Sequence, residues 1–115
     1  MIYPHFQCIV TGREFIPTGL LLSEQITVEK TVDAVPTERH GKAIYSATPA
    51  NSLERLVILI EKYAEIFREC GAEEIEVYAA IRYEGQANWE ISPDMLSRLG
   101  RLNAHLLVSF YEWID

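Results

Sequence analysis

The residues from Asn51 to Arg82 leave this chain fewer choices than any other part of it. They spell an amphipathic helix, a glycine stop and an alternating strand. Asn51 is placed to cap the helix, with Glu54 three residues on at capping-box spacing. Leu53, Leu56, Val57, Ile60, Ala64 and Phe67 recur at helical steps, and Leu59, Tyr63, Ile66 and Cys70 widen that stripe. A stripe so wide predicts a mostly buried helix. Glu54, Glu61, Lys62, Glu65, Arg68 and Glu69 are left for solvent. Gly71 follows, where a left-handed C-cap favours a residue without Cβ. From Glu74 to Glu84 the pattern turns strictly alternating. Ile75, Val77, Ala79, Ile81 and Tyr83 point one way, and Glu74, Glu76, Tyr78, Ala80, Arg82 and Glu84 the other.

The flanks extend the pattern. Tyr3 to Thr11 reads as a strand with Phe6, Cys8 and Val10 on one face and Tyr3, His5, Gln7 and Ile9 on the other. Phe15-Ile16-Pro17-Thr18-Gly19 is a turn signal. Ile26 to Val32 has strand propensity, with Ile26, Val28, Lys30 and Val32 set against Thr27, Glu29 and Thr31; a helix from Ser23 is the competing reading. Pro36, Gly41 and Pro49 break up the next stretch, leaving Ala43 to Ala47 as a short strand. Ser92-Pro93-Asp94 is a helix start, with Ser92 as N-cap and Pro93 at the first helical position. Met95, Leu96, Leu99 and Leu102 supply its apolar face. A last strand from Ala104 to Trp113 puts Ala104, Leu106, Val108 and Phe110 on one side and His105, Leu107, Ser109, Tyr111 and Trp113 on the other.

Each helix lies between two strands, the pattern of crossover connections. Covering both helical stripes and the apolar strand faces together predicts an α+β two-layer sandwich: a mixed sheet of four to five strands with two helices on one face. The 115 residues suit one such domain spanning 1–115.

Parity then assigns the other side of the sheet. Tyr3, His5, Glu74, Glu76 and Tyr78 are the candidate partner-binding residues of its first part. Arg82, Glu84, His105, Tyr111 and Trp113 complete the set. Tyr, Trp and Arg are the side chains enriched at protein–protein hot spots. The competing readings are a face covered by the segment from Leu20 to Val35, or by a second copy of the chain as a homodimer.

Charge bears on the partner. The formal net charge is -7, and most of it falls between Glu61 and Glu90. That balance argues against nucleic acid and against an anionic membrane surface, and it suits a basic protein partner. It equally suits plain solubility. No apolar run approaches the ~20 residues that span a bilayer, and no signal peptide is visible, so a cytoplasmic location is expected. Cys8 and Cys70 lack metal-ligand spacing, so neither a metal nor another cofactor is expected.

Catalytic motifs are weak. His5, His105 and Glu76 could do acid–base work only if the fold brings them together. Cys8 and His5 are three apart in a strand, hence on opposite faces, and carry no dyad signature. The expectation is a protein that is not an enzyme. The alternative is a small-ligand or enzymatic domain using the Arg39-His40-Gly41-Lys42 loop, which lacks P-loop features.

Two motifs carry a resemblance. Ser92-Pro93-Asp94-Met95-Leu96 followed by Leu106-Leu107-Val108-Ser109-Phe110-Tyr111 resembles the C-terminal half of the bacterial domain-of-unknown-function family 4279. Val35-Pro36-Thr37 and Gly41 look like that family's hydrophobic-Pro-Thr and later glycine, with Tyr45 where a tryptophan is often seen. The resemblance spans about half of the chain and implies the fold rather than an activity. In size, acidity and build the chain is also similar to bacterial immunity proteins. That likeness implies neutralisation of a basic nuclease-type toxin by occlusion of its active site.

Overall fold

The computed structural model describes residues 1–48 and 51–113. Seven elements follow one another: β1 (Ile2–Gly12), β2 (Ile26–Val32), β3 (Gly41–Ala47), α1 (Leu53–Glu69), β4 (Glu74–Tyr83), α2 (Pro93–Arg101) and β5 (His105–Glu112). The five strands form one mixed sheet in the order β2-β3-β1-β4-β5. β1 is antiparallel to β3 and β4, β2 is antiparallel to β3, and β5 is parallel to β4. β3 and β4 therefore run the same way with β1 between them, and each helix makes a crossover between parallel strands.

Both helices lie on one side. α1 packs on β1 and β3, α2 on β5, and the helices touch each other. Phe6, Cys8 and Val10 of β1 meet Ile75, Val77 and Ala79 of β4 in one core with Leu56, Ile60 and Phe67 of α1. Tyr45 stacks on Phe67 with ring centres 5.3 Å apart. The α+β sandwich read from the sequence is the fold, with five strands.

Local details depart from that reading. Ser52, not Asn51, caps α1, its hydroxyl accepting from the Arg55 N–H. Asn51 instead accepts from the Phe6 backbone N–H at 2.8 Å and donates to the Phe6 carbonyl at 3.0 Å. The β1–β3 ladder runs from Cys8 to Gly12, so this carboxamide takes the place of a strand neighbour beside Phe6. Ile66 is 40% exposed rather than buried, so the stripe of α1 is narrower than its apolar content suggested. In β2 the register shifts between Val28 and Lys30. Glu29 is the extra residue, and Lys30 and Val32 thereby leave the face of Ile26 and Val28, against the simple alternation expected.

The start of β3 and the end of α1 meet the chain leaving β1. Gly71 has φ 101°, the left-handed turn expected after α1. Gly41 sits where the chain doubles back: a Cβ there would collide with the Phe15 carbonyl. Phe15, fully buried, is thus pinned by backbone contact, and its carbonyl accepts from the Ala34 N–H at 2.9 Å. Leu20 and Leu22 pack against the core, and the Ser23 N–H donates to the Tyr63 hydroxyl at 2.7 Å. The segment after β1 therefore covers the helical side and not the reverse of the sheet.

Gly41→Ala is expected to destabilise the fold by about 2–4 kcal/mol, because backbone must move. Gly100, late in α2, has open space around it, and Gly100→Ala should stabilise by up to about 1 kcal/mol. Denaturant midpoints with unchanged m-values check both.

Candidate functional site

On the reverse of the sheet the strand registers lay side chains out in rows. Tyr3, Arg82 and Tyr111 share one row, and His5, Ala80 and Ser109 the next. Gln7, Tyr78 and Leu107 form the third. Ile44, Ile9, Glu76 and His105 form the fourth, with Lys30 beside Ile44. Val32, Lys42, Thr11 and Glu74 close the far end. No element of the described residues lies over these rows. Tyr3 (41%), Leu107 (49%) and Tyr111 (50%) are exposed.

The candidate residues are brought together as parity required, on the β1–β4–β5 half of this face. Glu84 is at its margin, just past β4, where its N–H donates to the Met1 carbonyl at 3.0 Å. Trp113 follows β5 at the same end. Its ring takes the Arg82 guanidinium at 4.9 Å and the Tyr3 ring edge-on at 5.8 Å. The stacked cation keeps its charge while losing mobility.

Tyr78 and Tyr111 share a hydrogen bond between hydroxyls at 2.8 Å. Tyr78 is level with Leu107 and Tyr111 with Arg82, so their Cα positions lie four residues apart along neighbouring strands, roughly 13 Å. Both rings must lean toward each other over the small residues Ala80 and Ser109. Hydrogen bonds from Ser109 and Tyr111 hold the Tyr78 phenol below its ordinary range, and the bond to Tyr78 raises that of Tyr111. Sequence spacing gave no sign of this pair, because it depends on which strand neighbours β4 and in what register.

The β2–β3 half is different. The Gln7 amide donates to Glu29 at 2.6 Å, and Ser46, level with Thr27, is buried. Glu29, Lys30 and Lys42 are its charged groups, against Glu74, Glu76, Glu84 and Arg82 on the other half. The acid that the sequence concentrates between Glu61 and Glu90 is only partly here. Glu61 lies on the helical layer, gripped by Arg98 at 3.0 Å and 2.5 Å, which lowers its carboxyl below the usual range. Glu73 is held by the Arg13 backbone and guanidinium at the sheet end, with the same effect. Helix periodicity and the Gly71 turn sent these glutamates away from the reverse face.

The catalytic constellation does not assemble. His105 is level with Glu76, but His5 is level with Ala80, on another row and two strands from His105. Cys8 is buried on the helical side, its thiol pushed up to about 12 by burial, while His5 is on the reverse. The Arg39–Lys42 loop borders an open basin of about 360 Å3 lined by Arg13, Thr37, Glu38, Arg39 and His40. It joins neither His5 nor His105, and Arg39 donates from Nε to the Asp33 carbonyl at 3.0 Å. Among the described residues no cluster of His, Cys, Asp and Glu could hold a metal ion. None of their helices is long and apolar enough to cross a membrane.

No family model, no curated protein and no solved structure matches the chain. The motif resemblance at Ser92–Leu96 and Leu106–Tyr111 thus rests on those residues alone.

The hydroxyl pair makes an optical prediction. Tyrosinate absorbance should show the pair as one group below the ordinary phenol range and one above it, the latter beside Tyr45, which burial pushes up to about 12. In Tyr111→Phe the low group should move up, since Tyr78 loses a donor, and the raised group of the pair should vanish. A low group that stays where it was in Tyr111→Phe would mean that the hydroxyls do not meet in solution.

Proposed function

We propose that this chain is a protein-binding module whose partner docks on the β1–β4–β5 half of the reverse sheet face. The observation that carries the reading is a wide sheet surface with aromatic side chains over which no element of the described residues lies. Such a surface offers large contact area with polar tips. Apolar Ile9 and Leu107 lie beside Tyr78, and Tyr111, Arg82 and Trp113 form a fixed corner. Glu74, Glu76 and Glu84 flank this half, with Arg82 its one guanidinium. The surplus of carboxylates favours a partner that is cationic where it touches, and the overall charge of -7 steers one inward. A basic nuclease-type toxin fits that description, with the chain as its immunity protein, occluding the active site. This reading needs no catalytic group in the chain itself.

The test is co-expression with the product of the adjacent gene, followed by titration of the purified pair. Tyr78→Asp with Tyr111→Asp should weaken binding at least thirtyfold, the roughly 2 kcal/mol of a hot spot. Glu74→Lys with Glu76→Lys should slow association and flatten its salt dependence. A complex indifferent to all four changes, or no complex, would overturn the reading.

A further inference from the structure

The two edges of the sheet are built differently. β2 carries the irregularity at Glu29 and exposes Glu29 and Lys30. A bulge and charged side chains are devices that stop an edge strand from pairing. β5 has neither. Its eight residues, HLLVSFYE, keep an unbroken parallel register with β4 and contain no proline and no lysine. Leu107 and Tyr111 are half exposed on one face and Phe110 (48%) on the other. As the last strand in the order, β5 has β4 as its strand neighbour and turns its remaining backbone N–H and C=O groups outward.

We propose that β5 pairs antiparallel with β5 of a second copy of this chain, across a two-fold axis normal to the sheet at Ser109. The strand is self-complementary in that register. A two-fold normal to the sheet keeps both reverse faces on one side, so opposed residues must share parity. Centring on Ser109 sets Leu107 against the partner subunit's Tyr111, and Val108 against the partner subunit's Phe110. The exposed apolar side chains of both faces thereby find apolar neighbours.

Two five-stranded sheets become one continuous sheet, with the helices on one side and both reverse faces on the other. The Tyr78–Tyr111 pairs of the two copies then flank the axis, and the docking surface described above doubles in width. The edge pairing itself does not depend on that surface binding anything, and its test contains no partner protein.

Sedimentation and light scattering of the intact chain at about 100 µM, well above a micromolar Kd, should give twice the 13.2 kDa mass. Phe110→Lys, checked for fold by circular dichroism, should give the single-copy mass. In a Cys70→Ser background, Ser109→Cys should oxidise to a cross-linked dimer, since opposed Cβ atoms across such an axis lie about 4.5–5.5 Å apart. Glu29→Cys on the other edge should not cross-link. Should Phe110→Lys fail to fold, the Ser109→Cys cross-link decides. A single-copy mass at that concentration overturns the proposal. So does a dimer that Ser109→Cys fails to trap.

Discussion

The structure depends on apolar burial being confined to one side of a five-stranded sheet. Val10, Val77, Ala79 and Ile81 are fully buried, while the residues that alternate with them reach solvent. α1 enforces this asymmetry, because its Leu56, Val57, Ile60 and Phe67 need the same side. Strand period two then leaves no freedom: once one parity is buried, the other must form the opposite surface. The candidate site is the complement of the core.

Several contacts hold that complement in place and accessible. Asn51 ties the start of α1 to β1 where the strand ladder stops. Gly41 lets the chain after β1 fold tightly over the sheet end, so that Leu20 and Leu22 go to the core. Across the face, leaning tyrosines and the stacked Arg82 and Trp113 replace long mobile side chains with ones already ordered. Ordered side chains cost less to immobilise on binding than free ones.

The fold was legible in the sequence because its signals are periodic. The alternation of Glu74–Tyr83, the stripe of α1, Gly71 and the Ser92-Pro93 start each point to one local structure, and they agree with one another. What escaped is what periodicity does not encode. Asn51 and Ser52 are both good caps, and the choice fell to Ser52 because Asn51 met the Phe6 backbone. The Glu29 bulge has no marker in a stretch where every other residue fits a strand. Ile66 looked buried from the helix alone and is exposed. The site was legible as a set of residues on one face. The pairing of Tyr78 with Tyr111 needed strand order and register, and the ion pairs of Glu61 with Arg98 and Glu73 with Arg13 needed the packing of α1 against α2 and of the chain after β1 against the turn after α1.

Hydroxyl-radical footprinting read by mass spectrometry reaches the central assertion most directly. In the chain alone, Ile9, Tyr78, Leu107 and Tyr111 should be oxidised readily while Val10, Val77 and Phe67 stay silent, and bound partner should silence the first group. Silence at Ile9 and Tyr78 without a partner, or oxidation at Val10 and Val77 in the folded chain, would contradict a sheet covered on one side only.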